Sequence, residues 1–293
     1  VPAAADELDE KQAQRFEEVL AAHRLVMAPT ELSTTAPLKR LAPRLGFRAA
    51  TMPGFTAAMV PALRLDYHEV DRRVRLLKGI LDRAEAAELL LRIDGSESAE
   101  LHLDLRHRTA HASSGLLHEP GTAGNLPSGE AYIVPYEGEL QGDPSRSAGV
   151  LPIQLGGEVV RFRIDANRAV AIDSEGLASD AARQLLAEEP ATGNLAELGL
   201  GVLADLGVKP IGQVLLDEKL GLHLAFGRSD HFGGRVGPGD FSRPEAVIHQ
   251  DHVFLPELQP RVVPALVELV MPGGTRLELL RDGNYTVDFD EGS

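Results

Sequence analysis

Cysteine is absent from the chain, which removes both disulfides and thiolate metal ligands. Any metal must then be held by His, Asp and Glu, a donor set suited to zinc, manganese, cobalt or iron rather than to a cysteine-based structural zinc. Tryptophan is also absent and aromatics make up only 4% of residues, too few for a carbohydrate or single-strand stacking platform. Positive charge is scarce. Lys and Arg number 29 against 44 Asp and Glu, leaving a net charge of −15. That balance argues against a nucleic-acid backbone and against an anionic membrane surface, both of which need clustered cations. No apolar run reaches transmembrane length, and the first residues show no signal-like apolar core. The expected class is a soluble, acidic, cytoplasmic globular protein whose partner is neither a nucleic acid nor a membrane.

What is present can build a large core: 43% of the 293 residues are hydrophobic, enough for one large domain or two. The patterning divides into a helical opening and a strand-rich body. Asp6 to His23 reads as a charged helix with Leu8, Phe16, Val19 and Leu20 as its apolar stripe. Ser33, Thr34, Thr35 and Pro37 form a helix entry leading to Leu38, Leu41 and Leu45. Residues 50–54 read as a turn. Val70, Val74, Leu77 and Leu81 then recur at helical spacing across Tyr67 to Ala87. Beyond that the period changes. Leu89–Ile93 and Leu101–Leu105 flank Asp94-Gly95 as a hairpin, and strands are predicted at 131–134, 159–164, 170–172, 222–226, 247–254 and 277–280. A helix is predicted over 178–188. The expected fold is α/β: a short helical or α/β N-terminal region over 1–85, followed over 86–293 by a mixed-sheet α/β catalytic domain.

The densest chemical signal is Ile248-His249-Gln250-Asp251-His252. In an extended segment residues two apart share a face, so His249 and Asp251 project side by side. Apolar residues lead into this pair and out of it, and a buried charge is costly unless something compensates it. Three further stretches stand out. Gly124 to Gly129 delivers Glu130 to the start of an apolar run, which fits either a buried ligand or a solvated hairpin. Gly193 to Gly201 places Glu197 among leucines and glycines, where dense glycine signals close backbone approach or a tight turn; a phosphate-binding loop is disfavoured because no basic residue follows. In Asp217 to Gly227, His223 lies inside an apolar strand, five residues after Glu218. Alone, it would be read as a satisfied core histidine.

Taken together and in order, these segments resemble the M29 family of metallo-aminopeptidases. The resemblance runs from about Ala50 onward, through Met52-Pro53-Gly54, Asn125 to Glu130, Asn194 to Gly199, Glu218 to His223, His249-Gln250-Asp251 and Gly273 to Gly283. It implies metal ligation by Glu130, Glu197, Glu218, His223, His249 and Asp251. It also implies two divalent ions (zinc, cobalt or manganese), removal of N-terminal residues from peptides, and a homodimer. Two such ions, one carboxylate bridging them, would activate water and polarise the scissile carbonyl. The chain departs from the family at two places. Asp230 stands where the family carries a tyrosine thought to assist catalysis, and Gly201-Val202-Leu203 replaces a Gly-Thr-Asn tail.

The general base is left open between a non-bridging glutamate, Asp230 and His231. His231 also fits a solvated loop, and Arg228 fits a surface salt bridge as well as a carboxylate clamp. A related group, the 2,5-dihydroxypyridine dioxygenases, offers the rival reading: a single Fe(II) on His223, His249 and Asp251, two histidines and one carboxylate with open positions for O₂ chemistry. Retention of Glu197 and Glu218 speaks against it. A third reading is a metal-dependent interaction module without activity. The histidines at 102, 107, 111 and 118 are read either as lining a cleft or as spaced along a solvated hairpin.

Overall fold

The computed structural model describes residues 10–290. In chain order its elements are α1 (Glu10–Ala21), β1 (Leu25–Ala28), α2 (Thr35–Leu45), β2 (Arg48–Thr51), α3 (Tyr67–Leu81), β3 (Ala86–Ile93), β4 (Glu97–Asp104), β5 (His111–Ser113), β6 (Ala123–Asn125), β7 (Glu130–Ile133), β8 (Ala148–Leu155), β9 (Glu158–Asp165), β10 (Arg168–Ile172), α4 (Leu177–Glu188), β11 (Leu195–Gly201), α5 (Val214–Asp217), β12 (Leu222–Gly227), β13 (His249–Val253), β14 (Val262–Val270), β15 (Arg276–Arg281) and β16 (Asn284–Tyr285). The architecture is mixed α/β, as expected. The chain forms two compact units, one from residues up to 74 with 113–130 and 202–220, the other from 75–112, 131–201 and the residues from 221 on. The expected boundary near residue 85 is a single cut in sequence, whereas each unit gathers three separate segments.

The smaller unit contains a three-stranded sheet in the order β1-β2-β6, with both neighbouring pairs parallel. Parallel strands need a crossover, and α2 supplies the one between β1 and β2. Gly46 ends α2 in a left-handed conformation at φ 76°, its amide donating to the Ala42 carbonyl at 2.8 Å. That cap turns the chain directly into β2. Leu20, Leu38, Ala42, Phe47 and Ala49 form the core of this layer.

The larger unit holds an eight-stranded sheet, β10-β9-β8-β4-β3-β14-β15-β16, and a five-stranded sheet, β13-β12-β11-β7-β5. The β3–β4 hairpin turns where predicted, with Asp94 and Gly95 at positive φ of 49° and 74°. Ala87, Leu89, Leu91 and Ile93 bury one face of β3 and Leu101 and Leu103 continue it on β4, the period-2 pattern of a sheet covered on one side. Rings of Phe162 on β9 and Phe226 on β12 meet at 5.1 Å between the two sheets. By contrast, every residue of β11 and β12 is buried.

Several elements differ from expectation for identifiable reasons. The α3 stripe Val70, Val74, Leu77 and Leu81 is buried as predicted, but the helix stops at Leu81 because Ala86 and Ala87 pair with both β4 and β14. Among the described side chains of α1, Leu20 is buried, while Phe16 and Val19 are exposed; Leu8 lies outside the described residues. Residues 50 and 51, read as part of a turn, belong to β2. Strand β14 went unpredicted. Its Pro264 cannot donate to a ladder, and the strand tolerates it at a register shift between Pro264 and Leu266. The glycine-dense stretch around Glu197, read as close approach or a turn, is the central strand β11.

Candidate metal centre

Strand register brings four of the expected ligands together. On the β11–β12 ladder Glu197 pairs with Ala225 and Gly199 with His223. On the β12–β13 ladder Ala225 pairs with Asp251 and Gly227 with His249. Directly paired residues share a sheet face, as do residues two apart along a strand. Glu197, His223, His249 and Asp251 therefore project from one face around the small side chain of Ala225. The close approach expected at the glycines is real. A Cβ on Gly199 would lie 1.9 Å from Nε2 of His223, so only glycine leaves room for that imidazole.

The side chains converge closely. His223 Nε2 lies 3.2 Å from Glu197 Oε1, and His249 Nε2 lies 3.3 Å from Glu197 Oε2 and 3.5 Å from Asp251 Oδ1. One ligand atom from each of Glu197, His249 and Asp251 falls within 4.8 Å of the others. His223 is fully buried and Glu197 nearly so. The other nitrogen of each ring is already committed: Nδ1 of His223 faces the Gly221 carbonyl at 3.1 Å, and Nδ1 of His249 faces the Arg228 carbonyl at 2.8 Å. A carbonyl only accepts, so each Nδ1 carries a proton and each Nε2 is the nitrogen left to face the carboxylates. Metal-ligating histidines are commonly fixed in this way, the ring nitrogen away from the ion donating to a carbonyl or carboxylate.

Electrostatics point the same way. Burial works to raise the Glu197 pKa, but the His223 and His249 imidazoles outweigh it and hold the carboxyl at about 2. Burial disfavours a charged His249, yet Asp251 and Glu197 push its pKa well above the ordinary value. Two buried carboxylates thus draw positive charge to this spot, and His, Glu and Asp donors match the borderline-to-hard divalent ions. These residues fit a metal ion.

Asp230 and His231 follow β12 on a short 3-10 turn. The His231 and Phe232 rings each sit 5.3 Å from the His249 ring. Burial, with the neighbouring charges of His249 and Arg228, lowers the His231 pKa to about 4. The Asp230 carboxylate accepts from Arg228 Nε at 2.5 Å; burial works to raise its pKa and Arg228 overrides that, keeping it below the ordinary range.

Sequence reasoning missed the support of this loop. Glu137 accepts from Ser229 Oγ at 2.5 Å, the Arg235 amide at 2.5 Å and Asn194 Nδ2 at 2.8 Å, pinning both flanks of the Asp230–His231 turn. No local pattern marks Glu137. The early histidines do not gather: His102 meets Glu88, His107 meets Asp143, and His111 faces the Phe232 carbonyl, while His118 packs edge-on against His68.

The two remaining expected ligands lie in the smaller unit, where both meet one lysine. Lys219 Nζ donates to Glu130 Oε1 at 2.5 Å and, more closely, to Glu218 Oε1. Lys219 is only 1% exposed. Burial opposes its charge, but Glu130 and Glu218 outweigh that and hold its pKa above the ordinary value.

No protein-family model matches the sequence, and no curated protein matches it. Solved structures do. A 2,5-dihydroxypyridine dioxygenase from Pseudomonas putida KT2440 is similar at TM-score 0.66 and 15% identity, over 94% of this chain and 75% of that one. Wild-type AmpT from Thermus thermophilus is similar at TM-score 0.59 and 16% identity, over 98% of this chain and 82% of that one. The fold is shared with both. At such identities the likeness extends to the fold and no further. No helix among the described residues is long and apolar enough to cross a membrane.

Proposed function

We propose that the protein is a metal-dependent aminopeptidase whose metal ligands are Glu197, His223, His249 and Asp251. The observation that carries this reading is the Glu197 carboxylate, which faces both Nε2 atoms at 3.2 and 3.3 Å. Asp251, the second carboxylate beside Glu197, gives the centre two negative charges, matching a divalent ion. The ion would supply Lewis acidity, polarising a carbonyl and lowering the pKa of water. The Gly221 and Arg228 carbonyls hold the imidazoles in the ligating tautomer. His231 is neutral near pH 7 because burial lowers its pKa to about 4, so its imidazole is a weak base suited to holding a water by a hydrogen bond beside the centre rather than to taking up its proton. Asp230, bound to Arg228, is a positioning residue for that turn. The fold in which this centre sits is shared with AmpT from Thermus thermophilus.

A second reading, ring cleavage by a single Fe(II), is favoured by a specific observation. His223, His249 and Asp251 make a two-histidine, one-carboxylate set, and the dioxygenase shares the fold. The deciding experiment runs both chemistries. The zinc-, cobalt- or manganese-loaded protein is assayed for release of p-nitroaniline from leucyl and phenylalanyl p-nitroanilides, and the anaerobically Fe(II)-loaded protein for O₂ uptake on 2,5-dihydroxypyridine. The proposal expects metal-dependent release in the first arm that EDTA abolishes. O₂ uptake in the second arm with none in the first would overturn it.

A further inference from the structure

We propose that Lys219 is a built-in cation standing in for a second divalent ion, so that the protein binds one metal ion per chain where its sequence pattern implies two. The inference deepens the proposed function and rests on it for the ion held by Glu197, His223, His249 and Asp251. The resemblance assigns six ligands to a two-ion site, and two of them, Glu130 and Glu218, are engaged by one ammonium. Lys219 Nζ sits 2.5 Å from Glu130 Oε1 and contacts Glu218 Oε1 more closely still.

The arrangement is built rather than incidental. Lys219 is 1% exposed, and the Glu130 and Glu218 side chains are 8% and 13% exposed, so water contributes little to satisfying these charges. Lysine follows Glu218 directly on a 3-10 turn, Glu218–Leu220, and the Lys219 carbonyl accepts the Leu203 amide at 2.9 Å. The backbone therefore fixes where the side chain starts. An ion bound by Glu130 and Glu218 would have to displace the ammonium or share the carboxylates with it. Displacement strands a buried ammonium, while sharing sets three positive charges against the two negative ones of Glu130 and Glu218, and low dielectric magnifies either cost. With the lysine alone, the two carboxylates are bridged by a cation that cannot be chelated away.

The full-length protein is stripped with EDTA, dialysed against excess Zn²⁺ or Mn²⁺, and metal per chain is measured by plasma mass spectrometry. Wild type is expected to hold one ion and Lys219→Met, which keeps the stem but drops the charge, one more than wild type. Two ions in wild type, or a folded Lys219→Met with the wild-type count, would overturn the proposal. Should Lys219→Met fail to fold, Glu218→Gln decides: an unchanged count is expected because Glu218 serves the lysine, and loss of one ion would overturn the proposal. A wild type holding no ion refutes the proposed function instead. The gain of one ion in Lys219→Met, or its absence, then still decides the role of Lys219.

Discussion

Replacing Gly199 by alanine adds a single carbon at the point where the candidate centre is most tightly packed. That Cβ would lie 1.9 Å from His223 Nε2 and 2.2 Å from its Cε1, against 3.4 Å or more for ordinary contact. The imidazole must therefore retreat by about 1.5 Å, well beyond the roughly 0.2 Å tolerance of a metal–ligand distance. It has nowhere to go. His223 is fully buried on a central strand and its Nδ1 is tied to the Gly221 carbonyl at 3.1 Å. Overpacking of this kind costs about 1–3 kcal/mol of stability, and loss of an oriented ligand should weaken Zn²⁺ binding by more than the ~10–100-fold typical of removing a ligand's own hydrogen-bond partner. Gly199→Ala should thus show a lower melting temperature without metal and little further rise when Zn²⁺ is added. Wild type at ~100-fold excess of Zn²⁺ over Kd should gain about 2.7 kcal/mol. Gly79→Ala is the matched control, because a Cβ there meets nothing within 4 Å. Calorimetric titration and thermal melts measure both quantities. If Gly199→Ala bound Zn²⁺ as wild type does, the geometry of the centre described above would be wrong.

Two other outcomes follow from particular residues. Asp104 is buried and accepts from Arg106 Nε at 2.9 Å and Nη2 at 2.7 Å; burial pushes its pKa up, but Arg106 and two backbone amides more than offset this and leave it below the ordinary value. Its contribution to stability is therefore complete above the unfolded pKa of about 3.9 and is lost as pH falls through the lower folded value. Asp104→Ala should cost about 1.5–3 kcal/mol at neutral pH, the worth of hydrogen bonds to a charged group, since Arg106 keeps Asp143 as a partner at 3.0 Å; it should also flatten the acid limb of stability measured by urea unfolding at a series of pH values, and parallel limbs for the two proteins would contradict the pairing. His231→Ala should lower peptidase turnover by about 10-fold, the worth of one hydrogen bond, while leaving Zn²⁺ per chain unchanged, and a loss of zinc would make His231 a ligand rather than a hydrogen-bond acceptor.

The parts of this protein legible in its sequence are those governed by neighbours along the chain. The alternation of Leu101 and Leu103 marked a strand, Asp94-Gly95 a turn, and the spacing of Val70, Val74, Leu77 and Leu81 a helix, because a period of 2 or 3.6 is a local property. The four-residue strands β1 and β2 were not legible: Leu25 and Met27 are exposed, and Arg-Ala-Ala-Thr has no strand preference to announce itself. The overrun of α3 into Ala86 and Ala87 has the same origin, since only the ladders on either side make those alanines a strand.

For the candidate centre, the sequence by itself determined the ligand types and the adjacency of His249 and Asp251, which a two-residue offset on one strand places on the same face. Only tertiary structure decided that Glu197 would meet both imidazoles, that a glycine opposite His223 would clear its ring, and that Gly221 and Arg228 carbonyls would orient the two rings. It also decided that Lys219, one residue beyond an expected ligand, would turn inward and join Glu218 to Glu130, 89 positions away along the chain. Cross-strand register and the direction of a buried side chain are set by long-range pairing, and no local pattern encodes them.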